Sequence, residues 1–233
     1  MDNKKDPALE ELLQKIIDLP ADLHGCGSVS DNVLRGIYKH CSKLNIIDSI
    51  ETGSGKTTLL FSHLSKNHNV FALNIENSVD VVKSSDLLNT ESYNWINGPT
   101  QQTLTNFKFN KKYQLAYLDG PHGFPFPELE YYYIYPHIEN GGLLILDDIL
   151  IPTIHNLYKF IRADEMFKEL EVIDTTAFFQ RTKAKTFDPL GDGWWLQGYN
   201  KNHYPVPINM KILIKKLLPN KIKHLMKQKF FRK

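Results

Sequence analysis

The residues that most constrain the fold of this chain are 45–58, with the sequence NIIDSIETGSGKTT. Their apolar beginning predicts a β-strand, Glu51 ends that strand, and two glycines separated by one residue predict a tight turn. Residues 56–65 have the character of a helix. This order of strand, turn and helix begins a βαβ unit, in which backbone N–H groups and a helix N-terminus can receive a ligand.

One class of protein that begins in this way is the P-loop nucleotide hydrolase. GSGKTT matches the end of a Walker A motif, and LLILDD at residues 143–148 resembles a Walker B strand. The Walker pattern requires a glycine five residues before the Gly-Lys pair, and Ile50 occupies that position. The loop is also too short to surround a β-phosphate. The spacing therefore disfavours a P-loop NTPase or kinase, which stays open as an alternative function.

A second strand is predicted at residues 69–75, and Glu76 and Asn77 follow it. In doubly wound folds a carboxylate at the tip of the second strand binds the ribose hydroxyls of a nucleoside. Glu76 lies close to the expected separation of about 20 residues from the glycine turn. The sequence therefore predicts that a nucleoside site runs from this turn to Glu76.

Carboxylates also follow the predicted fourth and fifth strands, residues 113–118 and 143–146. Asp119 ends the fourth strand, and Asp147 and Asp148 end the fifth. Ligands of open α/β sheets collect at these carboxyl ends, so the three acids are predicted to meet. Because like charges repel, the cluster favours a hard divalent cation, most plausibly Mg²⁺, with all three as ligands. In the alternative reading, Asp147 points away and caps the following helix.

His122 lies three residues after Asp119, in a Gly-Pro turn that can aim its ring at the same cavity. A neutral imidazole can accept a proton from a sugar or phenol hydroxyl, and a hydroxyl bound to Mg²⁺ is more acidic. His122 is therefore the predicted catalytic base, with Asp119 or Asp148 as the alternative base.

The segments ETGSG, NIEN and LDGPHGFPFPELEYYYIYPHIENGGLLILDDI together resemble class I S-adenosylmethionine-dependent methyltransferases of the Methyltransferase-24 and macrocin or sugar O-methyltransferase kind. The resemblance covers about residues 45–181 and departs from the family at Lys56 and Pro121. It implies an α/β fold: a doubly wound, mostly parallel seven-stranded sheet with N-terminal helices and a basic C-terminal helix.

The resemblance also implies an activity and a set of site residues. S-adenosylmethionine would bind at the acid-x-Gly-x-Gly turn, with Mg²⁺ beside it, and a hydroxyl of a saccharide or small natural product would be methylated. Asp119 and His122 would be the catalytic residues. A non-catalytic binding protein with the same fold is a further alternative. The implied cofactor-binding residues are Glu51, Thr52, Gly53, Ser54, Gly55, Thr58, Glu76, Asn77 and Asp119.

The length of 233 residues fits one α/β domain with an appendage at each end. Residues 1–43 are predicted to form an N-terminal helical lid, in which His24 is a candidate for covering the cofactor. Residues 44–200 form the S-adenosylmethionine-binding domain, and residues 201–233 a basic tail. Two cysteines and the lack of an apolar run of roughly 20 residues predict a cytoplasmic protein with reduced thiols.

The tail gives the clearest expectation about partners. Residues 211–233 hold nine of the 28 basic residues and no acid, which leaves 19 basic against 26 acidic residues elsewhere. With its apolar residues, the tail is predicted to dock on the acidic body or to contact an anionic membrane surface. No nucleic-acid-binding signature accompanies it, and a homodimer is possible by analogy. Trp194, Trp195 and Tyr199 are predicted either to stack on the acceptor or to form an edge strand.

Overall fold

The computed structural model describes residues 7–20, 23, 27–188 and 190–204. Its centre is a seven-stranded sheet with the strand order β3-β2-β1-β4-β5-β7-β6. The first five strands run parallel, and β7 pairs antiparallel with β5 and β6. The strands are β1 (Ile46–Thr52), β2 (Ser65–Ala72), β3 (Tyr93–Asn97), β4 (Tyr113–Leu118), β5 (Ile138–Leu146), β6 (Phe167–Ile173) and β7 (Thr176–Arg181).

Helices cover both faces of the sheet, so the fold is the doubly wound α/β arrangement that the sequence predicts. The helices are α1 (Pro7–Ile17), α2 (Asp31–Cys41), α3 (Lys56–Leu64), α4 (Ser78–Lys83), α5 (Thr100–Asn106), α6 (Phe126–Ile134), α7 (Pro152–Ala163) and α8 (Gly198–His203). The central strands are buried on both faces, which explains why they read as nearly continuous apolar runs.

Alternation along the strands divides the core into two layers. On one face, Ala116 and Leu144 pack with Tyr131 of α6 and Ile161 of α7. On the other face lies a layer made with the first three helices, which contains Ile16, Leu34, Ile37, Leu60, Leu115, Tyr117 and Ile145. Because side chains alternate along β4 and β5, the same period of two determines the face of the sheet on which a residue at the strand end lies.

The described part of the N-terminal region belongs to this second layer. Ile16 and Ile37 have no exposed surface and pack with the apolar residues of α3. The amphipathic stripes of α1 and α2 are thus satisfied by the core beneath them. His24, proposed from the sequence as a cofactor-covering residue, lies outside the described residues.

Two strands differ from their predicted bounds. β2 begins at Ser65, directly after α3, and ends at Ala72, so Glu76 lies four residues beyond the strand rather than at its tip. β5 begins at Ile138 rather than at Leu143, so the Asn-Gly-Gly sequence before the predicted start lies inside the strand. A shift of register against β4 and a φ of +87° at Gly141 accommodate these small residues within the strand.

The aromatic segment after β7 does not form an edge strand, and its stacking on an acceptor stays a prediction. Residues Trp194–Leu196 form a 3₁₀ turn, and the ring centroid of Tyr199 in α8 lies 5.3 Å from that of Phe160. Trp195 stays 43% exposed. Within the described ranges, no helix combines the length and apolarity needed to cross a membrane. The basic tail from residue 205 onward is outside those ranges, so its contacts and the homodimer stay predictions.

Candidate functional site

The glycine turn after β1 lies against the end of β4. Gly53 has a φ of +92°, and a Cβ atom built on it would stand 2.4 Å from the backbone oxygen of Asp119. Its N–H donates to the carbonyl of Phe71, the residue beside Thr52 in β2. A residue with a side chain does not fit this position without moving the β4 end. The turn therefore brings the predicted cofactor-binding and catalytic segments into direct contact.

Glu51 is the residue that holds the turn in place. Its carboxylate has no exposed surface and accepts hydrogen bonds from the hydroxyls of Thr57 and Thr58 and from Nε2 of His68, at 3.0 Å for the last. The other ring nitrogen of His68 lies 2.8 Å from the hydroxyl of Ser49. Both Glu51 oxygens are thus engaged inside the protein, which makes Glu51 a support of the turn rather than a group facing a ligand.

The side chains of the turn itself behave differently from one another. Ser54 is partly exposed, and its hydroxyl lies 3.5 Å from that of Thr58. The N–H of Gly55 donates to the Thr58 hydroxyl over 2.9 Å. The structure thus makes Ser54 accessible and uses Thr58 to close the first turn of α3.

Lys56 decides between the two classes of protein that the glycine turn allows. The residue is only 5% exposed, and its Nζ donates to the carbonyls of Ile17 and Leu19 over 3.2 and 2.8 Å. A P-loop lysine must instead reach the phosphates in front of the turn. Here the ammonium group caps the carbonyl end of α1, where cations are favoured. This geometry argues against a nucleotide triphosphate site.

Glu76 and Asn77 form an exposed bend beyond β2. Their φ angles are +49° and +61°, and Asn74 holds the bend by accepting from the N–H of Val79 over 3.0 Å. The carboxylate of Glu76 is exposed and makes no hydrogen bond or ion pair within the described chain. Leu73 beside it is 49% exposed. A free carboxylate next to an apolar surface fits a nucleoside, with its ribose hydroxyls on the acid.

Asp119, His122 and Asp148 form a cluster at the carboxyl ends of β4 and β5. Candidate ligand atoms of the three side chains all lie within 4.8 Å of one another. The Nε2 atom of His122 is 3.4 Å from an oxygen of Asp119 and 3.4 Å from an oxygen of Asp148. The hydroxyl of Thr153 in α7 donates to the carbonyl of His122 and so anchors the loop that carries the imidazole.

Asp147 lies apart from this cluster, although the sequence groups it with the metal ligands. Its carboxylate is 5% exposed and accepts hydrogen bonds from the hydroxyls of Tyr117 and Thr176, each at 2.6 Å, and from the N–H of Asp148 at 2.8 Å. The side chain points away from the cluster, as in the alternative that the sequence left open. Its side-chain partners, however, lie on β4 and β7, so it does not cap the following helix. Asp147 is therefore a structural carboxylate in this conformation.

The acidic groups of the cluster bind protons more tightly than isolated carboxylates. Burial, together with the charges of Asp147 and Asp148, raises the pKa of Asp119 to about 7, while His122 opposes this rise. Burial and the charge of Asp147 raise the pKa of Asp148. The hydrogen bond to Asp119 raises the pKa of His122. Within the described ranges, neither Asp119 nor Asp148 pairs with a lysine or arginine. Two carboxylates without a permanent cation fit a divalent metal ion.

Glu130 in α6 is a site residue that the sequence analysis missed. It is 2% exposed, and its Oε2 accepts from the Thr52 hydroxyl over 2.7 Å. The same hydroxyl accepts from the N–H of Asp119 over 3.1 Å. Thr52, predicted to contact the cofactor, instead uses its hydroxyl inside the protein. The signal in the sequence was an acid among apolar and aromatic residues of an otherwise buried helix face.

Two large apolar residues are exposed in the segments that follow β4 and β5. Phe124, two residues after His122, is 75% exposed, and Leu150, two residues after Asp148, is 71% exposed. Isolated exposed apolar residues are ordinary, but these two follow the two loops that carry the polar cluster. They offer apolar surface to a molecule that reaches the carboxylates.

Comparison with known proteins gives one family match that spans the site residues and a likeness of fold to solved structures. A family model described as a methyltransferase domain matches residues 50–149, which include the glycine turn, Glu76 and the cluster. A comparison with curated proteins found no match.

Three solved structures illustrate the similarity of fold. A protein assigned as a caffeoyl-CoA O-methyltransferase from Staphylococcus aureus shares 15% identity, with 76% of this chain and 93% of that chain covered and a TM-score of 0.59. The O-methyltransferase TomG from Streptomyces achromogenes, involved in tomaymycin synthesis and solved with SAM, shares 12% identity over 77% and 91%, with a TM-score of 0.52. The MycE methyltransferase of the mycinamycin pathway, solved with Mg, SAH and mycinamycin VI, shares 13% identity over 79% and 57%, with a TM-score of 0.50. At these identities the likeness establishes the fold alone.

Proposed function

We propose that this chain, which has the class I methyltransferase fold with a methyltransferase domain at residues 50–149, transfers the methyl group of S-adenosylmethionine to a hydroxyl of a saccharide or small natural product with the help of Mg²⁺. The observation that carries the proposal is the position of the Asp119, His122 and Asp148 cluster. It lies in contact with the glycine turn, so a methyl donor on the turn and an acceptor on the cluster would meet.

The residues around the glycine turn suit the methyl donor. The exposed carboxylate of Glu76 would accept hydrogen bonds from the ribose hydroxyls, and Leu73 would cover one side of the base. The partly exposed turn at Gly53, Ser54 and Gly55 would receive the amino-acid part, since its small residues allow close approach to the backbone. Glu51 would act indirectly, by holding this turn against α3.

His122 is the proposed base of the reaction. The acceptor oxygen would attack the methyl carbon, so that the C–O bond forms while the C–S bond breaks and the electron pair stays on sulfur. The proton of the acceptor hydroxyl would pass to Nε2 of His122. The protein's main contribution would be alignment of the acceptor oxygen, the methyl group and this nitrogen.

Asp119 and Asp148 are the proposed ligands of Mg²⁺, with Asp147 excluded by its internal hydrogen bonds. The ion would neutralise both carboxylates, lower the pKa of a bound acceptor hydroxyl and reduce the interaction that raises the pKa of His122. The MycE complex, which contains Mg together with SAH, supports a metal in a fold of this kind.

Transfer from S-adenosylmethionine labelled in the methyl group tests the proposal directly. Acceptors would include glycosides and phenols, each with Mg²⁺ or with EDTA. We expect incorporation into at least one hydroxyl compound, loss of turnover in EDTA, and loss of turnover in the variants H122A and D148N. H63A is a matched control, because His63 lies at the far end of α3 and its one hydrogen bond among the described residues is with the carbonyl of Leu87. Full activity of both H122A and D148N would refute the proposed roles.

The alternative functions are separated by ligand binding. If S-adenosylhomocysteine raises the melting temperature and ATP with Mg²⁺ does not, the P-loop class is excluded, as the position of Lys56 leads us to expect. A non-catalytic binding protein would bind S-adenosylhomocysteine without methylating any acceptor of the panel, with or without Mg²⁺.

A further inference from the structure

A chain of hydrogen bonds joins three elements behind the site. The N–H of Asp119, at the end of β4, donates to the hydroxyl of Thr52, at the end of β1, over 3.1 Å. That hydroxyl donates to Oε2 of Glu130, in α6, over 2.7 Å. The chain thus runs from the cluster to the glycine turn and ends on a buried carboxylate.

The carboxylate at the end of this chain is unusually placed. Glu130 is 2% exposed and has no salt-bridge partner among the described residues, while Thr52, Thr100 and the Gly120 backbone are the polar groups that stabilise its charged form. A Cβ atom built on Gly120 would stand only 1.8 Å from Oε1, so the carboxylate packs directly on the turn that carries Asp119. Burying such a group is costly, and an apolar side chain of similar size would avoid the cost if packing were its only role.

The direction of the hydrogen bonds gives Glu130 a specific effect on its neighbours. A threonine hydroxyl has one proton and can accept through its lone pairs. Because the proton of Thr52 is directed to the carboxylate, a lone pair remains for the N–H of Asp119. Thr52 is wholly buried, and when Glu130 is ionised, the hydrogen bond from the Thr52 hydroxyl to its charged oxygen is stronger than a neutral one.

We propose that Glu130 is a positioning residue that orients the Thr52 hydroxyl and thereby locks the Asp119 backbone to the end of β1. The lock sets the distance between the glycine turn and the cluster, and so between the methyl donor and the acceptor. The backbone part of the inference stands on the hydrogen bonds alone, whereas its effect on turnover rests on the proposed methyl transfer.

Amide hydrogen exchange of the whole protein measures the backbone part, with no cofactor or metal present. In T52V, which keeps the shape of the side chain, and in E130L, the Asp119 N–H loses its oriented acceptor. We expect its exchange to accelerate about tenfold or more, as for the loss of one hydrogen bond. T52S and E130Q keep the hydroxyl and one acceptor oxygen, so they should restore most of the protection. T105V is the matched control, since the Thr105 hydroxyl donates only to a carbonyl within α5.

The same variants measured in turnover separate positioning from general stability. We expect T52V and E130L to lower kcat more than they raise the KM for S-adenosylmethionine. The kcat of the double variant should be no lower than that of the less active single variant. Unchanged Asp119 exchange in T52V overturns the proposal even if E130L does not fold. Faster exchange in T52V, in a protein whose wild type methylates nothing, upholds the backbone lock and refutes the proposed function instead.

Discussion

The contact between the glycine turn and the β4 end can be tested with two alanine substitutions that share one backbone feature. Gly53 has a φ of +92° and Gly141 a φ of +87°, so G53A and G141A impose nearly the same backbone strain. They differ in their surroundings. A Cβ atom at Gly53 would stand 2.4 Å from the backbone oxygen of Asp119, whereas nothing lies within 4 Å of one at Gly141.

The expected free energies of unfolding follow from this difference. A left-handed conformation costs an L-residue about 1–2 kcal/mol, which is the whole expected effect of G141A. In G53A the backbone of the β4 end must also move, and forced shifts of this kind cost about 1–3 kcal/mol more. We therefore expect G53A to lower the stability by roughly 2–5 kcal/mol. The displaced Asp119 should also weaken the site, because its carboxylate belongs to the cluster.

Urea unfolding and calorimetric titration with S-adenosylhomocysteine provide the two measurements. G141A should bind S-adenosylhomocysteine as the wild type does, and G53A should bind it at least tenfold more weakly, which corresponds to about 1.4 kcal/mol. If both variants lost the same stability and G53A kept the wild-type affinity, the turn would not lie against Asp119 in solution. The contact that brings the glycine turn to the cluster would then be refuted.

Three further predictions concern buried charges. K56M should lose about 1.5–3 kcal/mol of stability, since the carbonyls of Ile17 and Leu19 lose a charged donor, while the affinity for S-adenosylhomocysteine stays unchanged. D147N should lose about 1–3 kcal/mol in urea unfolding but keep its Mn²⁺ affinity, and D148N should do the reverse. Burial raises the pKa of Glu130 to about 7, so in EDTA wild-type stability should fall as pH rises from about 4.5 to 7 and then level off. Glu130 contributes about 3 kcal/mol at most to this fall, so E130Q, which cannot ionise there, should show a flatter profile.

The strand ends were predictable because they depend on local sequence. β4 was predicted with its observed bounds, and the end of β5 was placed at the observed residue, since apolar runs stopped by acids and glycine are local signals. The meeting of Asp119 with Asp148 then followed from the rule that parallel strands end at one edge of the sheet.

The partners of the buried acids were not predictable in the same way. Glu51 follows an apolar run, and this position is typical of a group that faces a ligand. In the structure its carboxylate instead accepts a hydrogen bond from His68 on the neighbouring strand β2. The apolar and aromatic neighbours of Glu130 indicate a buried helix face, but nothing nearby in the sequence shows that Thr52 lies against its carboxylate. Such contacts join residues far apart in the chain, and one sequence holds no record of them.

The separation of Asp147 from Asp148 lies between these two cases, because it follows from a local rule once the partner strand is known. Alternation along β5 places Asp147 on the face of Leu143 and Ile145, which is also the face of Tyr117 in β4. The Tyr117 hydroxyl meets it there at 2.6 Å. Asp148 leaves the strand with a φ of +53°, so its carboxylate turns toward His122 instead. The two adjacent acids after β5 therefore have different roles. The first anchors the strand through Tyr117 and Thr176, and only the second lies beside His122 at the proposed metal site.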